Sequence, residues 1–207
     1  MESSISNALI IFVRNTELGK VKTRLSKDLG DEKTLAVYKY LLQYTADVAV
    51  NVKCHRFIFY SDYVHLTDNF DDACFTKFVQ SGNDLGERMQ DAFNKVFALG
   101  HMHACIIGSD CYKLQVDHLQ QAFKSLEEND TVIGPAKDGG YYLLGIKQTH
   151  SFIFQNKIWG TSTVFDDTIA GFSQNNMTYY ELEQLDDIDT IEDLLSTDIM
   201  ANLSLEE

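Results

Sequence analysis

The chain alternates short apolar runs with longer amphipathic stretches, and that rhythm limits its architecture more than any other feature. Ala8 to Val13 (ALIIFV) reads as a first buried strand. Lys33 to Val50 carries Leu35, Ala36, Leu41, Leu42, Ala46 and Ala49 near helical spacing and reads as the first helix. Strands follow at Cys54 to Tyr60 and Phe75 to Gln80, then a helix at Leu85 to Leu99 stopped by Gly100. Ala104 to Ile107 is the next strand and Val116 to Glu128 the next helix. Thr131 to Gly134 and Tyr141 to Ile146 read as strands, and Val164 to Asn175 and Ile191 to Met200 as helices. Strand and helix in this alternation predict an α/β fold with a mainly parallel central sheet and helices on both faces. A length of 207 residues is enough for a single domain with a full core, spanning 1–207.

Charge narrows the partners. The net charge is −14 and the pI near 4.7, which argues against nucleic acid or an anionic membrane as the main partner. A small phosphorylated ligand needs only a local basic patch. The four cysteines, Cys54, Cys74, Cys105 and Cys111, have no C-x-x-C spacing and read as free thiols of a reducing compartment. The first apolar run has a strand's length and no basic leader, so neither a signal peptide nor a membrane span is expected, and a cytoplasmic protein follows by default.

The stretch Ala104 to Cys111 (ACIIGSDC) places one carboxylate, Asp110, at the carboxyl end of a buried strand. Open α/β sheets bind ligands at that edge, and a carboxylate there suits Mg²⁺ or Mn²⁺ held against phosphates. An N-cap for the following helix is the plainer reading, made less natural by the intervening Tyr112, Lys113 and Leu114. After the first strand, Arg14, Lys20, Lys22 and Arg24 crowd one loop around Gly19. This is a candidate phosphate cradle, or else a basic surface loop. Neither G-x-x-x-x-G-K-[ST] nor G-x-G-x-x-G is present in it.

Further along, Gly82-Asn83-Asp84-Leu85-Gly86-Glu87-Arg88 joins a strand to a helix. Asp84 with Glu87 makes a complete capping box, while the glycines and Arg88 also suit a base or a phosphate. Two segments offer a second oxygen ligand beside Asp110. One is Asp138-Gly139-Gly140, which also reads as an ordinary hairpin turn. The other is the acidic run ending in Asp189, which equally reads as the last helix's N-cap with Glu192 as its partner. D-I-D-T also matches the nucleophile motif of haloacid-dehalogenase-like phosphatases, but there it opens the domain on a buried strand; here it lies near the end after a polar stretch. Trp159, followed by Gly-Thr-Ser-Thr, reads as a ligand wall or as core.

Taken in order, KTRL, GNDLGERM, IGSD, GPAKDGGYYLLG, W-x-T-S-T and DIDTIEDL resemble one family, a bacterial group of glycosyltransferases in the nucleotide-diphospho-sugar transferase superfamily. The resemblance runs from about Leu9 to Leu195. The KTRL and DGG blocks are distantly similar to phospholactate guanylyltransferases, and the D-x-D-T end to molybdenum-cofactor nucleotidyltransferases. The resemblance implies a Rossmann-like fold of the glycosyltransferase A type and an enzyme that uses a nucleotide donor. It implies that Arg14, Lys22 and Arg24 meet donor phosphates, and that Gly82, Asp84 and Arg88 approach the nucleotide. Asp110 would be the principal ligand of Mg²⁺ or Mn²⁺ and Asp189 the second. Gly139, Gly140 and Trp159 would flank the acceptor, with Asp138 as the base for its hydroxyl. The expected partners are a nucleotide sugar, or in the alternative a nucleoside triphosphate, plus a small-molecule acceptor. A non-catalytic nucleotide-binding protein on the same fold is a third reading. This chain departs from the family pattern at Arg14, at Thr16 and at Tyr112, where lysine, proline and proline are usual.

Overall fold

The computed structural model describes residues 6–205. Seven strands form one sheet: β1 (Asn7–Val13), β2 (His55–Tyr60), β3 (Thr76–Val79), β4 (His103–Ile107), β5 (Thr131–Pro135), β6 (Tyr141–Ile146) and β7 (Tyr179–Glu181). Their spatial order is β3-β2-β1-β4-β6-β5-β7. β1 is central: Ile10 pairs with Phe57 of β2 on one side and Ile106 of β4 on the other, both in parallel. Ala8, Leu9, Ile10 and Ile11 are wholly buried, as a parallel strand covered on both faces requires. The one antiparallel member is β6, which pairs in that sense with both β4 and β5.

The helices divide between the two faces. Leu9, Ile11 and Val13 point into a core shared with α2 (Asp31–Val50), through Tyr38, Leu42 and Ala46, and with α4 (Val116–Glu128), through Leu119, Phe123 and Leu126. Ala8 and Ile10 point the other way, against Met89, Phe93 and Val96 of α3 (Leu85–Ala98) and Phe172 of α5 (Val164–Gln174). A third, smaller cluster joins Leu25 of α1 (Thr23–Leu29), Val37 and Leu41 of α2, and Ile188, Leu194 and Ile199 of the last segment. That segment holds two short helices, α6 (Ile191–Leu195) and α7 (Ile199–Asn202), rather than the one helix expected from Ile191 to Met200. Ser196 caps α6 and closes the run.

The topology places the site. From β1 the chain winds outward through β2 and β3, then returns to lay β4 on the opposite flank of β1. The carboxyl ends of β1 and β4 therefore bound a crevice where the winding reverses, which is where ligands sit in open α/β sheets. All four cysteines are free. No helix among the described residues is long and apolar enough to cross a membrane.

Candidate functional site

Two loops meet over that crevice. The first leaves β1 and is pinned by Asn15, a buried side chain whose Oδ1 accepts from the Asp62 amide at 3.0 Å and whose Nδ2 donates to the Tyr63 carbonyl at 2.8 Å. The Arg14 amide donates to the Tyr38 hydroxyl at 2.8 Å, and Tyr38 also lies 3.3 Å from the Ser109 hydroxyl, so one tyrosine of α2 braces both loops. Burial pushes the Tyr38 hydroxyl up to about 12, assisted by Asp110, so it stays protonated and available as a donor. Further on, Lys22 adopts a left-handed backbone (φ 47°) just before α1. A non-glycine residue there costs about 1 kcal/mol or more, and the side chain's contacts account for the choice.

Lys22 Nζ lies 2.5 Å from Asp110 Oδ2 and 2.9 Å from Asp189 Oδ1. Burial opposes the ammonium charge, but the two carboxylates outweigh it and hold its pKa above the ordinary lysine value. Asp110 follows β4; burial disfavours its charge too, yet Lys22 and the Ser109 donors keep it below the usual carboxylate range. Its Oδ1 accepts from the Ser109 amide at 3.1 Å. The Ile188 amide donates to the Asp110 carbonyl at 3.0 Å and stitches the acidic segment beside β4.

Within Asp186 to Asp189 the four positions divide. Asp186 is paired with Lys113 at 2.8 Å and Lys137 at 2.6 Å. Asp189 faces Lys22 and stands 3.7 Å from Arg24. Asp187, half-buried between them in sequence, is pushed up to about 7, first by burial and then by the charge of Asp110. Asp189 does not cap the last helix. Thr190 is the N-cap of α6, accepting from the Asp193 amide at 3.2 Å, and Asp193, not Glu192, completes the box. The cap moves one residue onward and leaves Asp189 free to face the lysine.

The remaining walls come from the other predicted segments. Asp84 caps α3 by accepting from the Glu87 amide at 2.8 Å. The Glu87 carboxylate bonds to the Asn83 amide instead of closing the box on Asp84. Arg88 donates to the Gly82 carbonyl at 3.1 Å. Asp138 sits in the tight turn joining the antiparallel pair β5 and β6 and accepts from the Gly140 amide at 2.8 Å. Gly139 (φ +88°) lies so close to the 159–163 loop that a Cβ would come within 2.1 Å of the Ser162 carbonyl oxygen.

The open cleft measures about 1120 Å³, and Arg14, Lys22, Arg24, Asp84, Arg88, Asp110, Asp138 and Asp189 all line it. Gly82, Gly139, Gly140 and Trp159 are not among the residues that line it. Trp159 packs on Gly86 at the start of α3, where a Cβ would come within 2.8 Å of its ring; its neighbour Gly160 faces the cleft. Sequence reasoning passed over Asn15, Tyr38 and Asp187. Only Asp187 carried a signal, as a neighbour of Asp189 in the acidic run.

The sequence profile of DUF2064, described as an uncharacterized protein conserved in bacteria, matches residues 45–161, more than half of the chain. No curated protein matches. Among solved structures, a putative nucleotide-diphospho-sugar transferase from Desulfovibrio desulfuricans superposes with a TM-score of 0.86 at 29% identity, over 92% of this chain and 85% of that one. The 4-diphosphocytidyl-2C-methyl-D-erythritol synthase of Anaerococcus prevotii gives a TM-score of 0.57 at 11% identity, covering 96% of each chain. A cytidylyltransferase from Leptospira borgpetersenii gives 0.57 at 14%, over 92% of this chain and 84% of that one. The last two share the fold alone. With its seven-stranded sheet and the profile match together, the chain belongs to the bacterial DUF2064 family and carries the nucleotide-diphospho-sugar transferase fold.

Proposed function

We propose that the protein is a divalent-metal-dependent transferase acting on a nucleotide-activated donor, with a nucleotide-diphospho-sugar as donor and glycosyl transfer as the reaction. The observation that carries this reading is the placement of Asp110 and Asp189 around one buried ammonium, at the crevice where the sheet reverses, inside a cleft lined by five cations (Arg14, Lys20, Lys22, Arg24 and Arg88). Six carboxylates (Glu17, Asp62, Asp84, Asp110, Asp138 and Asp189) line the same cleft, a mixed set suited to an anion bound together with a divalent cation.

The residues fit a hard divalent ion. Among the described residues no set of three or more His, Cys, Asp or Glu forms a metal cage. Mg²⁺ is ordinarily held by one or two carboxylates plus substrate phosphates, and Asp110 and Asp189 supply those two. Asp187 adds a third carboxyl beside them, its pKa raised first by burial and then by the charge of Asp110. Bound there, the ion would neutralise charge on the leaving phosphate. The chain's own groups do the rest. Arg14, Lys22 and Arg24 hold the phosphates and stabilise charge as the glycosyl C–O bond breaks toward the nucleoside diphosphate. Asp138 takes the proton from the acceptor hydroxyl whose oxygen forms the new bond.

Five cations would also suit a triphosphate, and this favours a second reading: attack on the α-phosphorus of a nucleoside triphosphate with pyrophosphate as leaving group. A thermal-shift panel of nucleotide sugars, nucleoside diphosphates and triphosphates, with and without Mn²⁺, tests both readings beside Asp110→Ala. A ligand at 100-fold excess over its Kd stabilises by about 2.7 kcal/mol. Metal-dependent stabilisation by a nucleotide sugar, lost in the variant and followed by nucleoside diphosphate release, supports glycosyl transfer. Pyrophosphate release from a triphosphate selects the second reading. Binding without turnover makes the protein a nucleotide sensor, and no stabilisation by any nucleotide overturns the donor assignment.

A further inference from the structure

Lys22 has an unusual position for a residue assigned to substrate phosphates. Its side chain is 4% exposed, and its ammonium is committed to two carboxylates, at 2.5 and 2.9 Å. Those are the carboxylates that a divalent ion would need. Asp110 reaches Lys22 with Oδ2 while its Oδ1 is held by the Ser109 amide at 3.1 Å and lies 3.3 Å from the Ser109 hydroxyl, so the oxygen not held by Ser109 is the one the lysine already takes. Asp189 likewise gives Oδ1 to Lys22 and leaves Oδ2 3.7 Å from Arg24. An ammonium and a hard divalent ion want the same oxygens, and both cannot sit on the short axis between them.

We propose that Lys22 is a tethered counter-ion that occupies the divalent-cation position between Asp110 and Asp189 when the site is empty, so that cation binding and Lys22 release are one exchange. The inference rests on the metal-dependent reading above and adds a competition that reading does not require. Displaced from the carboxylates, the ammonium stays in the cleft, because its backbone is fixed by the left-handed turn before α1. Its nearest uncommitted anion is then the donor diphosphate. The exchange makes metal and donor mutually supporting: metal binding frees a phosphate ligand, and phosphate binding draws the lysine away from the metal's oxygens. It also offsets half the charge of two converging carboxylates in the absence of substrate, where a bare pair would repel.

The experiment is Mn²⁺ binding to the full chain without nucleotide, read from the free-ion electron paramagnetic resonance signal, for the native protein, Lys22→Gln, Asp110→Asn and the double variant. Competition predicts that K22Q binds Mn²⁺ at least tenfold more tightly than the native protein and that D110N removes the gain. A K22Q affinity equal to or weaker than native overturns the exchange. If the native protein also binds Mn²⁺ through Asp110, the metal reading survives that failure; if neither protein binds Mn²⁺, both fall. Should K22Q not fold, the native protein answers instead: acetic anhydride labelling of Lys22, followed by mass spectrometry, must rise severalfold when Mn²⁺ is added. Labelling unchanged by saturating Mn²⁺ overturns the proposal.

Discussion

Two lysines in this molecule bridge two aspartates each, and the contrast between them separates a site from a staple. Lys22 joins Asp110 and Asp189, which are 37% and 41% exposed. Lys77, on the edge strand β3, is 9% exposed and joins Asp68, 11% exposed, with Asp72 at the surface. Asp68 spends its other oxygen on the Tyr60 hydroxyl and sends nothing into solvent unpaired. Around Lys77 the charges are tied to neighbours on one short stretch of chain. Around Lys22 they come from three distant segments and line the 1120 Å³ cleft at the carboxyl ends of β1 and β4, where the Lys77 cluster lines a local hollow of about 480 Å³, and Asp187 close by in sequence is pushed up to about 7. The same three-residue arrangement thus locks a loop in one place and leaves negative charge available in the other.

The first way to break that comparison is Asp110→Asn. Loss of an electrostatic partner of this kind lowers turnover by about 100- to 1000-fold; an assay of product release that shows less than a tenfold fall would make the Lys22 cluster another staple. Next, Lys77→Met removes the cation from a nearly buried carboxylate that keeps the Tyr60 hydroxyl and the Phe70 amide, and costs about 3 kcal/mol by urea unfolding, while nucleotide affinity stays at the native value. A change in that affinity would mean the two clusters are not separate. Gly139→Ala drives a Cβ into the Ser162 carbonyl at a positive φ. It lowers stability by about 2 kcal/mol and displaces the Asp138 turn, seen as a weaker apparent affinity for acceptor than for donor.

The effect that is smallest per pH unit concerns the buried carboxyl of Asp187. Because the folded pKa of Asp187 is raised to about 7, the metal-free native state keeps a proton that the unfolded chain has already lost above the ordinary carboxylate range. Stability from this residue is present at low pH and declines as pH rises toward 7, by about 1 kcal/mol per pH unit at the steepest. Asp187→Asn removes that slope in EDTA; an unaltered pH profile would show that the proton is not held there.

Much of the fold was legible. α4 and β6 fall at their predicted residues, because each is bounded by turn residues and has a clear period. The direction of β6 was not, since an apolar run looks the same in either sense. α1 escaped because its seven residues offer only Leu25 and Leu29 to a core supplied by the chain's last segment. β7 escaped because all three of its residues are exposed and it is a three-residue edge strand paired with β5. In the site, Asp110, Lys22 and Asp189 could be named from their motifs, but not the ion pairs between them. Nor could composition show that Tyr38, eight residues into α2, braces the loops after β1 and β4.

The bond from the Ile188 amide to the Asp110 carbonyl has a consequence for when the protein acquires its chemistry. The segment carrying Asp187 and Asp189 is translated after every strand of the sheet, and it docks by contacts with partners far back in sequence. Such long-range closures are slow relative to local structure, and chains fold from the amino end as they emerge. The same segment also brings Ile188, Leu194 and Ile199 over Leu25, Val37 and Leu41, so closing the acidic side of the cleft and burying the third core are one event, and the centre is complete only once that late-synthesised core is.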